Sequence, residues 1–451
     1  MIETLQRVFS IPELKKRILF TIMIVGICRI GTHITLPGVD SQVLLSAFDQ
    51  VANSFLGLYN IFTGGAFSRA TIFALGIMPY ISVSIIIQLF TSVSPYFQRL
   101  QKEGEDGRRK ITQITRVGTV AVSGLQAAGV ATLLSNNLAL DIQGSVVPNP
   151  DFAFYLTTII TLVTGTIFLM WLGEQITEKG VGNGISLIIT IGIIDLLPNA
   201  ILEEGNLIAS QLRTPLTEVV LIVFLIAVTA ATVSLTQAFR KIPTQRVQSG
   251  AKGGNVYSAK NSYIPLKVNT AGVMPIIFAQ SVIVIPGTLA SFFPNSDLMT
   301  TIAQSFSYTS FWYHGVSALL IVFFTYFYTA IAFNPAEVAD NMKKQGVFVP
   351  GVKPGKPTAD FIDDILSKIT LPGSIFLALI TLLPYFVQVG VRVISPNESE
   401  VSPNFASFFG GTSLLILVGV ALDTVSQIES HLLMKKYDGL TKTGRIRGQR
   451  N

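Results

Sequence analysis

Leu216-Thr-Glu-Val-Val-Leu-Ile-Val-Phe-Leu-Ile-Ala-Val-Thr-Ala-Ala-Thr-Val-Ser-Leu235 decides the fold class of this chain. Twenty helical residues rise about 30 Å, the thickness of a bilayer's hydrocarbon core. Glu218, near one end, is the only charge in the run. The next stretch is of the opposite character. Ala238–Thr270 carries six basic residues (Arg240, Lys241, Arg246, Lys252, Lys260 and Lys267) and no acidic one. An apolar run leading into a purely basic loop is the signature of a membrane helix whose next loop stays on the positive side.

Nine further apolar stretches of similar length flank it: Ile18–Leu36, Ala70–Phe90, Val117–Leu134, Phe152–Leu172, Ile185–Leu202, Val273–Phe293, Val316–Phe333, Leu371–Val391 and Phe408–Ile428. Mean hydropathy is +0.56 and 13% of residues are charged, against about a quarter in soluble proteins. With ten spans the connections alternate sharply in charge: 28 of the 32 Lys and Arg residues fall on one side. That side holds Arg7, Lys15, Lys16 and Arg17, the cluster from Arg99 to Arg116, Lys179, the 238–270 loop, the Asn334–Thr370 loop and the C-terminal Lys435–Arg450 cluster. The other side has Arg69, Arg213 and Arg392, and Arg29 lies inside the first span. Both termini are therefore expected in the cytoplasm. The first stretch resembles a signal peptide superficially, but it is too long and lacks a small-residue cleavage site, so it is read as a retained helix.

The expected fold is an all-α polytopic membrane protein with ten transmembrane helices. It divides into a cytoplasmic N-terminus (1–17), an N-terminal half of five spans (18–203), a C-terminal half of five (204–430) and a basic tail (431–451). Two halves with an odd number of crossings each would sit inverted, with a site at their interface.

Composition and pattern exclude much chemistry. The single cysteine, Cys28, permits no internal disulfide. His33, His314 and His431 are never at ligand spacing, and no metalloprotease, P-loop or nucleophile-elbow motif occurs. The histidines read as interfacial or capping residues. The chain is expected to be no enzyme and to carry no metal or cofactor. A solute transporter would need ionisable groups at mid-membrane. The candidates are Arg29, Asp195 and Asp423, of which Arg29 and Asp195 lie at similar depth; they either pair or snorkel. The third span bears small residues at helical spacing (Ser123, Ala127, Ala131, with Gly124, Ala128 and Thr132), which serve close packing.

Three regions break the simple pattern. Phe55–Phe67 is apolar but too short to cross, and Gly64-Gly65 joins it flexibly to the next span. It is either an interfacial helix or a re-entrant segment closing an internal cavity. The loops Ala238–Thr270 and Asn334–Thr370 are far longer than helix connections require. The first reads as a hairpin, Thr244–Gln248 against Asn255–Ala259, with a glycine tip at 250, 253 and 254. The second has Gly346, Pro350, Gly351, Pro354, Gly355 and Pro357 at its tip. Both are expected to dock a cytosolic partner. Last, isoleucines stand beside helix breakers at Ile77-Met-Pro-Tyr-Ile81, Asn183-Gly-Ile185 with Ile189, Met274-Pro-Ile-Ile277 and Leu414-Leu-Ile416. Stiff β-branched side chains in a ring could close a pore by dewetting, although packing isoleucines are the simpler reading from the residues alone.

These residues carry a resemblance. Ile72-Phe-Ala-Leu-Gly-Ile-Met-Pro-Tyr-Ile81, Ser84-Ile-Ile-Ile-Gln-Leu89, Met170-Trp-Leu-Gly-Glu-Gln-Ile-Thr177, Gly182-Asn-Gly-Ile-Ser186, Pro265-Leu-Lys-Val-Asn269, Phe333-Asn-Pro335, Ala339-Asp-Asn341, Gly351-Val-Lys-Pro-Gly355 and Gly410-Gly-Thr-Ser-Leu-Leu415 together resemble the SecY family of protein-conducting channels, over essentially the whole chain. The resemblance implies two pseudo-symmetric five-helix halves closing like a clam-shell around a central pore. It implies a channel that passes unfolded secretory polypeptides across the membrane and releases hydrophobic helices sideways. By this resemblance the pore ring falls on Ile77, Ile81, Ile185, Ile189, Ile277 and Ile416. The plug falls on Tyr59, Asn60, Ile61, Phe62, Thr63, Gly64, Gly65, Ala66 and Phe67, within about 55–69. The lateral gate falls between the second and third spans and the seventh and eighth. Motor and ribosome docking, with contacts to ribosomal RNA, falls on Arg240, Lys241, Arg246, Lys252, Lys260, Lys343, Lys344 and Lys353. The implied partners are SecE and SecG-like small membrane subunits, the SecA motor ATPase, the ribosome, signal sequences with their preproteins, and the lipid bilayer. The implied location is the inner (plasma) membrane of a cell, or alternatively the thylakoid. One departure stands out. The family's bacterial tip has Arg where this chain has Lys353, which keeps the charge but not the planar fork.

Overall fold

The computed structural model describes residues 11–51, 55–135, 146–246, 262–290, 310–394, 401–406 and 411–443, with 296, 298, 301, 305 and 408 besides. Its helices are α1 (Pro12–Gly31), α2 (Ser41–Val51), α3 (Phe55–Thr63), α4 (Met78–Val93), α5 (Pro95–Lys102), α6 (Glu105–Ser135), α7 (Phe152–Lys179), α8 (Gly184–Ala209) and α9 (Pro215–Gln237). After a hairpin come α10 (Met274–Ala290), α11 (Phe311–Ala332), α12 (Pro335–Lys344), α13 (Lys356–Ile394), α14 (Pro403–Ala406) and α15 (Gly411–Thr443). Each of the ten apolar stretches holds a helix. Among the described residues seven helices are long and apolar enough to cross a bilayer, and α4 with α5 makes an eighth if the pair, bent by 95°, is one span. The remaining two stretches hold α1, whose first turns carry Lys15, Lys16 and Arg17, and α10, whose apolar part, Met274–Gly287, is short.

Burial is turned inside out relative to a soluble protein. On α9, Val219, Val223 and Ile226 are exposed, while Glu218 and Thr232 are buried. An apolar exterior and a selectively polar interior suit a hydrocarbon solvent. Of the small-residue positions of α6, Ser123, Ala127 and Ala131 are fully buried, and Gly124, Ala128 and Thr132 beside them are half-buried. They let α6 pack closely on α4 and α7.

The second span departs from the sequence reading. Its expected start is Ala70, but the helix begins only at Met78. Residues 64–77 form turns, with positive φ at Gly64, Gly65, Ala70 and Gly76. Left-handed residues cannot continue a right-handed helix, and Pro79 fits the first turn because its missing N–H would have been unpaired there.

The two long loops form one body. Strands β1 (Phe239–Arg246) and β2 (Ser262–Lys267) pair antiparallel, Ile242 opposite Ile264, and β3 (Val347–Phe348) adds to the free edge of β1 through Gln245 and Arg246. Alternation sets the inner face: Ile242, Thr244 and Leu266 are buried. They meet Met342 of α12, Val349 and Ile362 of α13 in a small core of their own. Of the expected arms Thr244–Gln248 and Asn255–Ala259, residues 244–246 lie in β1; residues 247 and 248, the second arm and the glycine tip lie outside the described residues. Helix α13 runs from this platform into the bundle as one 39-residue helix.

Candidate functional site

The starts of α4, α8 and α10 line one cavity, and α15 packs on α8 and α10. Ile77 caps α4, and Ile81 follows one turn on. Asn183 caps α8, its Oδ1 accepting from the N–H groups of Ile185 and Ser186 at 3.1 and 3.3 Å. That places Ile185 in the first turn and Ile189 one turn deeper on the same face. Ile277 lies in the first turn of α10, and Ile416 in the second turn of α15 behind Gly411. Each start is fixed by the breaker seen in the sequence. Helix α10 packs on α4 and α15, and α15 on α8.

All six isoleucines lie in or against the bundle's large apolar core. Ile77, Ile81, Ile189, Ile277 and Ile416 belong to one buried apolar cluster, all between 0% and 4% exposed, and half-buried Ile185 packs against it. The same cluster takes in Tyr59, Ile61, Phe62 and Phe67. Segment 55–67 is therefore packed inside protein and does not lie on a membrane surface. Helix α3 touches α8 and α10. The Tyr59 hydroxyl donates to the Leu75 carbonyl at 2.9 Å, and the Tyr59 and Phe67 rings meet edge to face. Asn60 Oδ1 accepts from Ser68 N–H at 2.9 Å, so the turn is tied back to its helix. Thr63 and Ala66 are buried, as are the two glycines.

On the face that carries the basic loops, a cavity of about 380 Å³ opens directly onto this cluster. Ile81, Ile185, Ile277 and Met274 border it, and Gln88, Thr112, Asn183, Glu178 and the pair Arg116–Glu174 line its walls. Arg116 binds Glu174 through both carboxylate oxygens, at 3.1 and 2.6 Å, joining α6 to α7. Sequence reasoning does not single out this pair. Its only signal there is a carboxylate at the polar end of an apolar helix.

The basic residues fall into two groups. Arg240 and Lys241 on β1, Lys343 and Lys344 on α12 and Lys353 in the tip are exposed on the platform. Lys241 Nζ lies 5.5 and 5.0 Å from the ring centres of Phe239 and Tyr263. The Lys353 carbonyl accepts from Thr358 Oγ1 at 2.8 Å, between Gly351 and Gly355 at positive φ. Arg246 stands in β1; Lys252 and Lys260 lie outside the described residues.

Several charged and aromatic polar residues of the spans lie inside the bundle. Arg29 and Asp195 pair, Nη1 to Oδ2 at 3.2 Å. His314, in the first turn of α11, is 2% exposed and its ring packs against those of Tyr313 and Tyr385. Arg213 is buried with Glu204 and Glu218. Among the described residues no group of three His, Cys, Asp or Glu could hold a metal ion.

A helical bundle with a buried apolar core, a short helix packed into that core and a polar-walled cavity beside it is the build of a membrane channel. The model of the SecY family matches residues 71–425. The protein translocase subunit SecY of Escherichia coli K12 is 44% identical over 445 residues, covering 97% of this chain and 96% of that one. The chain belongs to the SecY family. Two solved structures share the fold. One is described as showing that the plug domain of SecY stabilises the closed state and maintains a membrane seal (TM-score 0.63, 14% identity, 97% of this chain and 98% of that). The other is Sec61 in the canine ribosome–channel complex of the endoplasmic reticulum (TM-score 0.58, 15% identity, 97% and 98%).

Proposed function

We propose that this chain is the protein-conducting channel of a cell's inner membrane, with both termini and the basic platform in the cytoplasm. One observation supports the reading most: the six isoleucines and α3 lie in or against one buried apolar core, and a polar-walled cavity borders that core at Ile81, Ile185 and Ile277. An unfolded polypeptide of any sequence has to pass while ions do not. A ring of Ile77, Ile81, Ile185, Ile189, Ile277 and Ile416 offers no hydrogen bonds, so water and ions gain nothing by entering. It parts for a chain without selecting among sequences. Residues Tyr59–Phe67 act as the plug behind it. Hydrophobic segments leave sideways where α10 meets α4 and α6, the line of the lateral gate between the halves 18–203 and 204–430. No bond is made or broken within the chain; the work comes from outside.

That work is supplied at the platform by a ribosome or by the SecA motor, and SecE and SecG-like subunits complete the channel. The ribosome complex of the Sec61 relative supports the first. Because β3 joins β1 to the 334–370 loop, Arg240, Lys241, Lys343, Lys344 and Lys353 act as one docking surface and not two. Lys353→Glu is expected to slow motor-driven export about tenfold, as one like-charge contact costs on the order of 1–2 kcal/mol at such an interface. Lys353→Arg should match or exceed the parent. Normal export kinetics for the glutamate variant would remove Lys353 from the interface.

The whole reading is tested in proteoliposomes holding this chain, its small partner, the motor and ATP. Preprotein is expected to become protected from protease only when motor and ATP are present. Absence of protection with folded, partner-bound chain would return the solute-transporter reading, and with it Arg29 and Asp195.

A further inference from the structure

A guanidinium inside an apolar span is costly unless it is partnered, so its partners reveal its use. Arg29 of α1 directs its donors at α8: Nη1 to Asp195 Oδ2 at 3.2 Å and Nη2 to the Ile191 carbonyl. The same Nη1 lies beside the end of α3. A Cβ placed on Gly64 would stand 3.2 Å from it and 2.7 Å from Gly192 Cα. Helix α3 closes there with Gly64 N–H on the Ile61 carbonyl and Gly65 N–H on that of Asn60, both glycines at positive φ. The end of a helix is its negative pole. A fixed cation therefore faces the negative pole of α3, and two glycines let the helix end and α8 come into backbone contact.

We propose that Arg29, held in place by Asp195, is the positioning residue that seats α3 in the closed channel. The inference rests on the reading of Tyr59–Phe67 as the plug. The geometry makes a latch and not an anchor. Arg29's hydrogen bonds run to α8, whereas it meets α3 through pole attraction and close packing alone. The plug can leave while the tie between α1 and α8 stays intact.

The test is resting ion conductance in planar bilayers, with driven translocation measured on the same preparations. Arg29→Gln is expected to raise resting conductance on the order of tenfold, the upper end of a cation's effect at a partly buried helix terminus. Translocation should be retained. Arg29→Lys should recover most of the seal, because charge is what the pole reads. Asp195→Asn, which frees Arg29, should raise conductance by less. Exchanging the pair, Arg29→Asp with Asp195→Arg, should leave conductance at least as high as in Arg29→Gln, since it restores the tie but puts an anion at the pole. A parental seal in either the exchange or Arg29→Gln would overturn the proposal and leave Arg29 a tie between helices. Deletion of residues 59–67 separates the two readings. If it leaves resting conductance unchanged, the plug assignment fails; if it raises conductance and Arg29→Gln does not, only the latch fails.

Discussion

Ile81→Ser combined with Ile277→Ser is expected to raise the resting ion conductance of the channel by at least about tenfold. Burying an isoleucine is worth roughly 1.5–3 kcal/mol relative to leaving it in water, so exchanging two for hydroxyls lowers the cost of wetting the constriction by several kcal/mol. Each 1.4 kcal/mol is about a tenfold change in the wetted population, and the plug caps the observable rise. The barriers stand in series. Leak requires the ring wetted and the plug displaced, so adding a deletion of residues 59–67 should multiply the effect. The same double variant is expected to accept signal sequences the parent rejects, because opening costs less. Ile81→Val with Ile277→Val is the control; it keeps a dry, branched lining and should keep the seal. Parental conductance in the serine variant, with folding confirmed by an unchanged thermal midpoint, would remove Ile81 and Ile277 from the barrier.

Much of this is legible in the sequence because membrane folding follows a coarse rule. Backbone groups must be satisfied within each span, so hydropathy and loop charge suffice to place the helices. Helix breakers are legible too: Pro79, Gly184, Pro275 and Gly411 mark the starts of α4, α8, α10 and α15. That the isoleucines beside them are buried is not, since a lipid-facing and a core-facing isoleucine read alike. The late start of α4 is hidden for the opposite reason. Residues 70–77 are as apolar as the helix they precede, and only their φ angles distinguish them. The joining of β3 to β1 depends on a two-residue strand a hundred residues away, too short to carry any pattern. Arg29 with Asp195 is legible as a matched depth, whereas the approach of Gly64 to that pair depends on tertiary packing alone.

Arg213→Met is expected to destabilise the fold by about 3–5 kcal/mol, the usual cost of stranding buried charges by deleting their partner. Arg213 has a side-chain exposure of 0%, with Glu204 at 3% and Glu218 at 10%. Arg213 binds Glu204 and lies 3.6 Å from Glu218, and the other oxygen of Glu204 accepts from Ser402 N–H at 2.9 Å. Without the guanidinium two carboxylates would share a dry corner and would have to take up protons or move apart. The corner joins the end of α8 to the start of α9 and ties it to the segment before α14. Glu204→Gln with Arg213→Met and Glu218→Leu should be far milder, within about 1–2 kcal/mol of the parent, because it removes every charge at once and Gln keeps the acceptor for Ser402. Thermal midpoints in detergent read the contrast directly. A single variant as stable as the triple one would mean that water or lipid headgroups reach the corner and that the cluster contributes little. A large gap between them means that the three charges hold one another in a dry corner and that the cost comes from stranding the carboxylates.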